Sequence, residues 1–498
     1  MISGRDMVEA WGGEMKRQLC FLYMRSHWLL RLLPGAYALL GSGCLPSGNA
    51  TSRLNIEVES LTGAHTRIVW VQDTHDRTDV FARGDRLRLM GFDSRDGRGE
   101  RVVLAGPGSF AKPMLLDDGS TILFSDYSNG HVYRVDWEGE ALVRLVQGRA
   151  LEVWRDRGGA DWVFVGTEPA QGGAPAYHRV TRHRVDDPDV SVHVWEGQPV
   201  GEDNFQVSAD GRIAGGNFPW PQCGLMHLSE QRIEILGRGC WTSLAPDNSY
   251  RFWIFDGSHR NLLLFDTVSG GRTTIAVSRA PGIDGHEVYH PRWSNHPRIM
   301  TMTGPYTIRS GGNNIRGGGE DVEIYLGRFD EDFQTIEAWV QLTSNQWANF
   351  FPDVWVRRDD GGISDDAPVS VLSMDDIVQR AANQRVARES LPQPVVERVR
   401  ARVVEASLIP DPADIAPYRR ALVFHKYEAV DGPREGEQLL VAHWGILDAR
   451  ALPDARRPVG SEHDLTLVLF DDHPELEGER VVMDFENFLL DWYYDLTE

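Results

Sequence analysis

One pattern recurs through the middle of this chain and limits what it can fold into. A short hydrophobic strand is followed by a turn rich in Asp, Asn or Gly, and then by a second short strand. The clearest copy is Gly285–Tyr306, GHEVYHPRWSNHPRIMTMTGPY. Others begin at Phe110 (FAKPMLLDDG), Leu151 (LEVWRDRGG), Phe205 (FQVSADG) and Trp241 (WTSLAPDN). β-rich runs broken by turn residues, with almost no helical periodicity before Ser373, predict an all-β chain. Repeats of roughly 40–60 residues match the scale of four-stranded propeller blades.

The ends of the repeat region predict how the ring closes. At its start, Thr66–Val71, Leu87–Asp93 and Arg101–Leu104 make only three strands. At its end, Phe350–Val356 (FFPDVWV) reads as a blade start with no blade after it. Phe350–Val356 is therefore expected to be the inner strand of blade one, giving a six-bladed β-propeller over residues 60–357. Residues 358–398 read as a linker with one helix at Ser373–Arg388, where Ser373 is the N-cap and two Asp sit in the first turn. Strand patterns at Ala421–Glu428, Gln438–Trp444, Asp464–Leu469 and Arg480–Met483 predict a small β-domain over 399–498, OB-like or a sandwich.

Three of the repeats, Pro291–Ser294 (PRWS), Ser243–Asn248 (SLAPDN) and Ser208–Gly211 (SADG), make the region similar to the TolB-like, WD-repeat-like propellers of exported bacterial proteins. The resemblance implies the fold and, by itself, no reaction.

The net charge bears on partners, and the N-terminus bears on location. A formal net charge of −22 argues against nucleic acid or an anionic membrane surface as partner, since both need concentrated Lys and Arg. From Met24, read as a possible start, Arg25 and Arg31 precede the apolar run Leu32–Leu40 and the small residues Gly41–Gly43, which is the layout of a signal peptide. The run is too short to span a bilayer. Cys44 directly follows, which resembles a bacterial lipoprotein box, although Gly41 stands where that family usually has Leu. The resemblance implies lipidation at Cys44, a periplasmic or outer-membrane location, and contact with membrane through the lipid alone. An ordinary secretory peptide is the alternative. Residues 45–59 then read as a flexible tether. Processing removes Cys20 and commits Cys44, so Cys223 and Cys240 are expected to form a disulfide in an oxidising compartment.

The string His286–His290 matches HExxH, a zinc motif that needs both histidines one helical turn apart. Gly285 and Pro291 leave no room for a helix, and on a strand residues four apart are separated by about 13 Å. The histidines are therefore read singly. Propeller register gathers His131, Trp220, His259, His286, Glu287, His290 and Tyr306 on one loop-bearing face, as the rim of a central channel. Gly304–Glu320, with six glycines, reads as a flap over that rim, with Arg309 and Arg316 as anion contacts. Aromatics beside histidines and carboxylates at a channel mouth suit a glycan or protein ligand, without a cofactor. The expected role is a binding or scaffold protein in envelope or exopolysaccharide work, more readily than an enzyme. The alternative is a metal-assisted polysaccharide lyase: oligogalacturonate lyases are also propellers, and His290–Pro291 at an inner-strand start is similar to their metal site.

Overall fold

The structure, a computed structural model, describes residues 48–172, 174–266, 271–306, 319, 321–358, 395–485 and 490–497. The export segment, Cys44, the helix expected at Ser373–Arg388, and Arg309 and Arg316 all lie outside the described residues.

Six antiparallel four-stranded sheets follow one another along the chain. Their first strands, Ala111–Leu115, Arg149–Arg155, Gln206–Val207, Cys240–Leu244, Glu287–Trp293 and Ala348–Val356, touch in a closed ring. Ala348–Val356 pairs with Thr66–Asp73, so the last strand of the ring completes the first blade, as the strand count required. The inner strands Ala111–Leu115, Cys240–Leu244 and Glu287–Trp293 are buried at every residue. The outermost strands Val143–Gln147 and Arg232–Arg238 are half-exposed, and charged or polar residues alternate with apolar ones along them. Neighbouring blades pack through aromatic faces. Trp253 stacks on Trp293 with ring centroids 4.0 Å apart, and both are fully buried.

Residues 48–59, expected as part of a flexible tether, belong instead to a helix, Gly48–Thr62. Its spacing explains the difference. Leu54, Val58 and Leu61 fall on one stripe and pack onto Ile68, Val340 and Val354 at the side of the propeller, while the other faces are polar apart from the exposed Ile56. Thr62 closes the last turn by donating to the Val58 carbonyl at 3.0 Å.

The C-terminal strands form a closed five-stranded barrel. The ring runs Ala421–Ala429, Gln438–Leu447, Trp492–Asp495, Glu462–Leu469, Glu397–Ala406 and back to Ala421–Ala429. Two of its strands, Glu397–Ala406 and Trp492–Asp495, are not among those expected from sequence. The strand Arg480–Val482 adds in parallel to Ala421–Ala429 and carries the barrel onto the propeller.

Candidate functional site

Four inner strands share a local break. Lys112, Trp241, His290 and Phe351 have φ between 42° and 51°, and the strand register shifts at each. In three of them the next residue is proline (Pro113, Pro291, Pro352), which cannot donate to the ladder. The bulge turns these side chains into the channel, where with Asp203 and Arg292 they line a void of about 10 Å³. The channel is thus closed at mid-depth. Lys112 Nζ donates to the carbonyls of Leu151 and Glu202, and burial beside Arg292 pushes its pKa down to about 8. His290 is held at both ring nitrogens, by Thr303 Oγ1 at 2.9 Å and the Val80 carbonyl at 2.8 Å. Burial pushes it down to about 3, so it is neutral.

Below that level Arg292 spans the channel. Its guanidinium donates to Asp353 at 2.8 Å and to both oxygens of Glu152 at 2.9 and 3.1 Å. This network faces a cavity of about 150 Å³ walled by Trp154, Trp293 and Trp355. The network was not expected from sequence. The Pro-x residues that carry Arg292 and Asp353 were a usable signal, since they mark where inner strands turn side chains inward.

On the opposite face the barrel docks against the loops of blade five. Gly257 donates to the Glu477 carbonyl at 2.8 Å and accepts from the Val481 amide at 3.2 Å. Here glycine is obligatory, because a Cβ would sit 1.9 Å from the Glu479 carbonyl oxygen. Arg480 reaches from the barrel to Glu287, contacting Oε1 at 2.9 Å and Oε2 at 3.1 Å. Burial pushes the Glu287 carboxyl up, but Arg480, His259 and Arg260 more than reverse this and leave it below the usual carboxylate range. His259 Nδ1 lies 3.1 Å from the Arg480 guanidinium and 3.4 Å from Glu287 Oε2, and its Nε2 lies 3.2 Å from the Tyr418 hydroxyl. Burial, with Arg480 alongside, keeps His259 neutral.

Between the channel mouth and the barrel lies a cavity of about 430 Å³. The propeller supplies Trp220, Trp241 and Tyr289, and the barrel segment 416–419 supplies Tyr418. Trp220 and Tyr418 meet edge to face at 4.7 Å. Glu202, Asp203, Arg83 and Arg419 give the cavity its charge. Tyr177 donates its hydroxyl to Glu202, whose carboxyl is pushed up by burial and by the neighbouring Asp203. Trp241, Tyr289, Tyr418, Glu202 and Arg83 were not among the candidates read from sequence. Tyr418 carried no signal, because its role depends on barrel docking.

Of the predicted rim residues, Trp220 lines this cavity. His259 and Glu287 do not face a ligand; they are the propeller half of the barrel contact. His290 is a plug of the channel, and Tyr306 is buried with its hydroxyl 2.9 Å from Thr303 Oγ1. His131 stays on the surface, its Nδ1 on the Asn129 carbonyl. His286 is half-buried just before the strand Glu287–Trp293, which is extended as the HExxH argument required. The expected Cys223–Cys240 bridge is absent: both are free, buried thiols. Each sulfur is engaged elsewhere. Cys223 accepts from Asn217 Nδ2 at 3.1 Å, and Cys240 meets Trp220 Nε1 at 3.2 Å and the Tyr418 hydroxyl at 2.7 Å. Of the residues near which a divalent metal would be sought, His259, Glu287 and His290 are already committed. Both nitrogens of His290 are taken, and Glu287 and His259 share a guanidinium whose charge opposes a cation. Among the described residues no group of three or more His, Cys, Asp or Glu has metal-ligand geometry.

No family model and no curated protein matches the chain. Among solved structures it is similar to TolB from Acinetobacter baumannii, with TM-score 0.40 and 15% identity, covering 60% of this chain and 69% of that one. It is also similar to a structure titled as a nidogen/laminin complex, at 0.39 and 9%, covering 59% and 100%. An oligogalacturonate lyase in complex with manganese aligns at 0.28 and 15%, covering 38% and 58%. The six-bladed propeller expected from the repeats is present, and it rests on the strand pairing itself. Scores of this size carry no argument about activity.

Proposed function

We propose that this chain is an exported, lipid-anchored binding protein that takes part of an envelope glycan or protein into the cavity between channel mouth and barrel. The cavity carries the reading. It is concave, walled largely by indole and phenol faces, and furnished with a few charged groups, which is the usual make-up of a ligand site. Aromatic faces stack on sugar rings and on apolar side chains alike. Because Tyr418 comes from the barrel and Trp220, Trp241 and Tyr289 from the propeller, neither part has the whole site.

The test is calorimetric titration of the protein with a panel of neutral, acidic and amino glycans and of short peptides. One class is expected to bind, and Tyr418→Ala should weaken it at least tenfold, the usual effect of truncating an aromatic anchor. If no class binds, or if Tyr418→Ala binds as well as wild type, the cavity is not the site. Anchoring is tested separately: Cys44→Ala should move the protein from the membrane to the soluble fraction, and continued membrane association would refute the lipid anchor.

A further inference from the structure

Of the charged groups that line the cavity or the channel void, Arg419 is exposed, Arg292 is paired, and two more can be sorted by their partners. The Lys112 ammonium is committed to two backbone carbonyls. The Glu202 carboxyl accepts from Tyr177, and burial favours its protonated form. Asp203 is different. It lines both the cavity and the channel void, and no hydrogen bond or ion pair reaches its carboxylate from the described residues. It lies deep in the molecule yet keeps part of its surface open, as a side chain facing an internal cavity does.

Arg83 is the counterpart. Its guanidinium rests over the Phe81 ring, 4.8 Å from the centroid, and lines the same cavity. Its Nε is buried without a partner, and no ion pair forms between it and Asp203 or any other described residue. Burial raises the Asp203 carboxyl above its usual range; Arg83 and, less strongly, Lys112 oppose that push, and an ammonium group placed beside it would oppose it further. An acid and a base therefore face one cavity, each unpaired.

This arrangement selects among ligands. A group that displaces water from the cavity must satisfy both charges, because burying either one unpaired costs several kcal/mol. A purely anionic ligand would meet Asp203, a purely cationic one would meet Arg83, and a neutral one would leave both desolvated. We propose that the cavity takes a zwitterionic unit of the amino-acid class, its ammonium on Asp203, its carboxylate on Arg83, and its apolar part against Trp220, Trp241, Tyr289 and Tyr418. The proposal rests on the cavity being the ligand site and names the chemistry of its occupant.

The experiment titrates the full chain with the free L-amino acids, with glycyl dipeptides, and with N-acetyl and amide derivatives of whichever binds. At least one zwitterion is expected to bind, and blocking either end should weaken it tenfold or more. Asp203→Asn should reproduce the loss from N-acetylation without adding to it, and Arg83→Gln should do the same for the amide. Neither side chain has an ion-pair partner among the described residues, so Asp203→Asn should melt at or above the wild-type temperature and Arg83→Gln should lose no more than its contact with Phe81; clear destabilisation of Asp203→Asn would reveal a structural role and overturn the proposal. Failure of every zwitterion to bind, or equal binding of blocked and unblocked forms, would overturn it too. A neutral glycan that binds, is lost in Tyr418→Ala and ignores Asp203→Asn would leave the cavity as the site while refuting the zwitterion.

Discussion

The guanidinium of Arg480, on the barrel, closes on both carboxylate oxygens of Glu287, at the start of the inner strand Glu287–Trp293, 193 residues away in sequence. Both groups are almost fully buried. Removing one partner leaves the other as an uncompensated buried charge, so Arg480→Met should cost about 3–5 kcal/mol in denaturant unfolding. The double variant Arg480→Met with Glu287→Gln should recover much of this. If the single variant unfolds like wild type, the contact is not part of the folded protein.

Gly257 offers a purely steric test of docking. Its backbone needs no unusual conformation, yet a methyl group there would fall 1.9 Å from the Glu479 carbonyl oxygen. Gly257→Ala should push the barrel off the propeller, splitting a single thermal transition into two. A single unshifted transition would show that the surfaces do not meet at this point.

His290 makes stability depend on acid. Its folded pKa of about 3 lies below its unfolded value, so its contribution is fully present above about pH 6.5 and is lost as pH falls toward 3. The slope can reach at most about 1.4 kcal/mol per pH unit. His290→Gln should flatten the stability curve between about pH 6.5 and pH 4 relative to wild type. Parallel curves would mean that the imidazole is not buried and neutral.

The two described cysteines should resist thiol reagents. Burial pushes Cys223 up to about 12 and raises Cys240 as well, so neither supplies a thiolate at neutral pH. In protein recovered from an oxidising compartment, alkylation after unfolding without reductant should label both, as read by mass spectrometry. A linked Cys223–Cys240 peptide would contradict the structure.

The ring was legible because its closure is arithmetic: three strands at Thr66–Leu104 needed a fourth, and Phe350–Val356 had no blade of its own. The helix Gly48–Thr62 was hidden because only Leu54, Val58 and Leu61 mark its buried stripe among polar neighbours. The rim reading placed His259 and Glu287 on the right face for the wrong reason. Register says which end of a strand faces out, but nothing near Glu287 in sequence announces that Arg480 will cover it. The disulfide failed similarly, since counting cysteines takes no account of Asn217, Trp220 and Tyr418, which already engage the two sulfurs.

The central claim, that ligand enters the cavity between channel mouth and barrel and not the outer rim, is tested most directly by filling the space. Ala174 lines the cavity, whereas His131 sits on the exposed rim. Titration of the best-binding ligand into Ala174→Trp and His131→Ala, each checked for wild-type circular dichroism, separates the two locations. The account predicts that Ala174→Trp abolishes binding and His131→Ala leaves it unchanged; full binding by Ala174→Trp, or loss in His131→Ala alone, would contradict it.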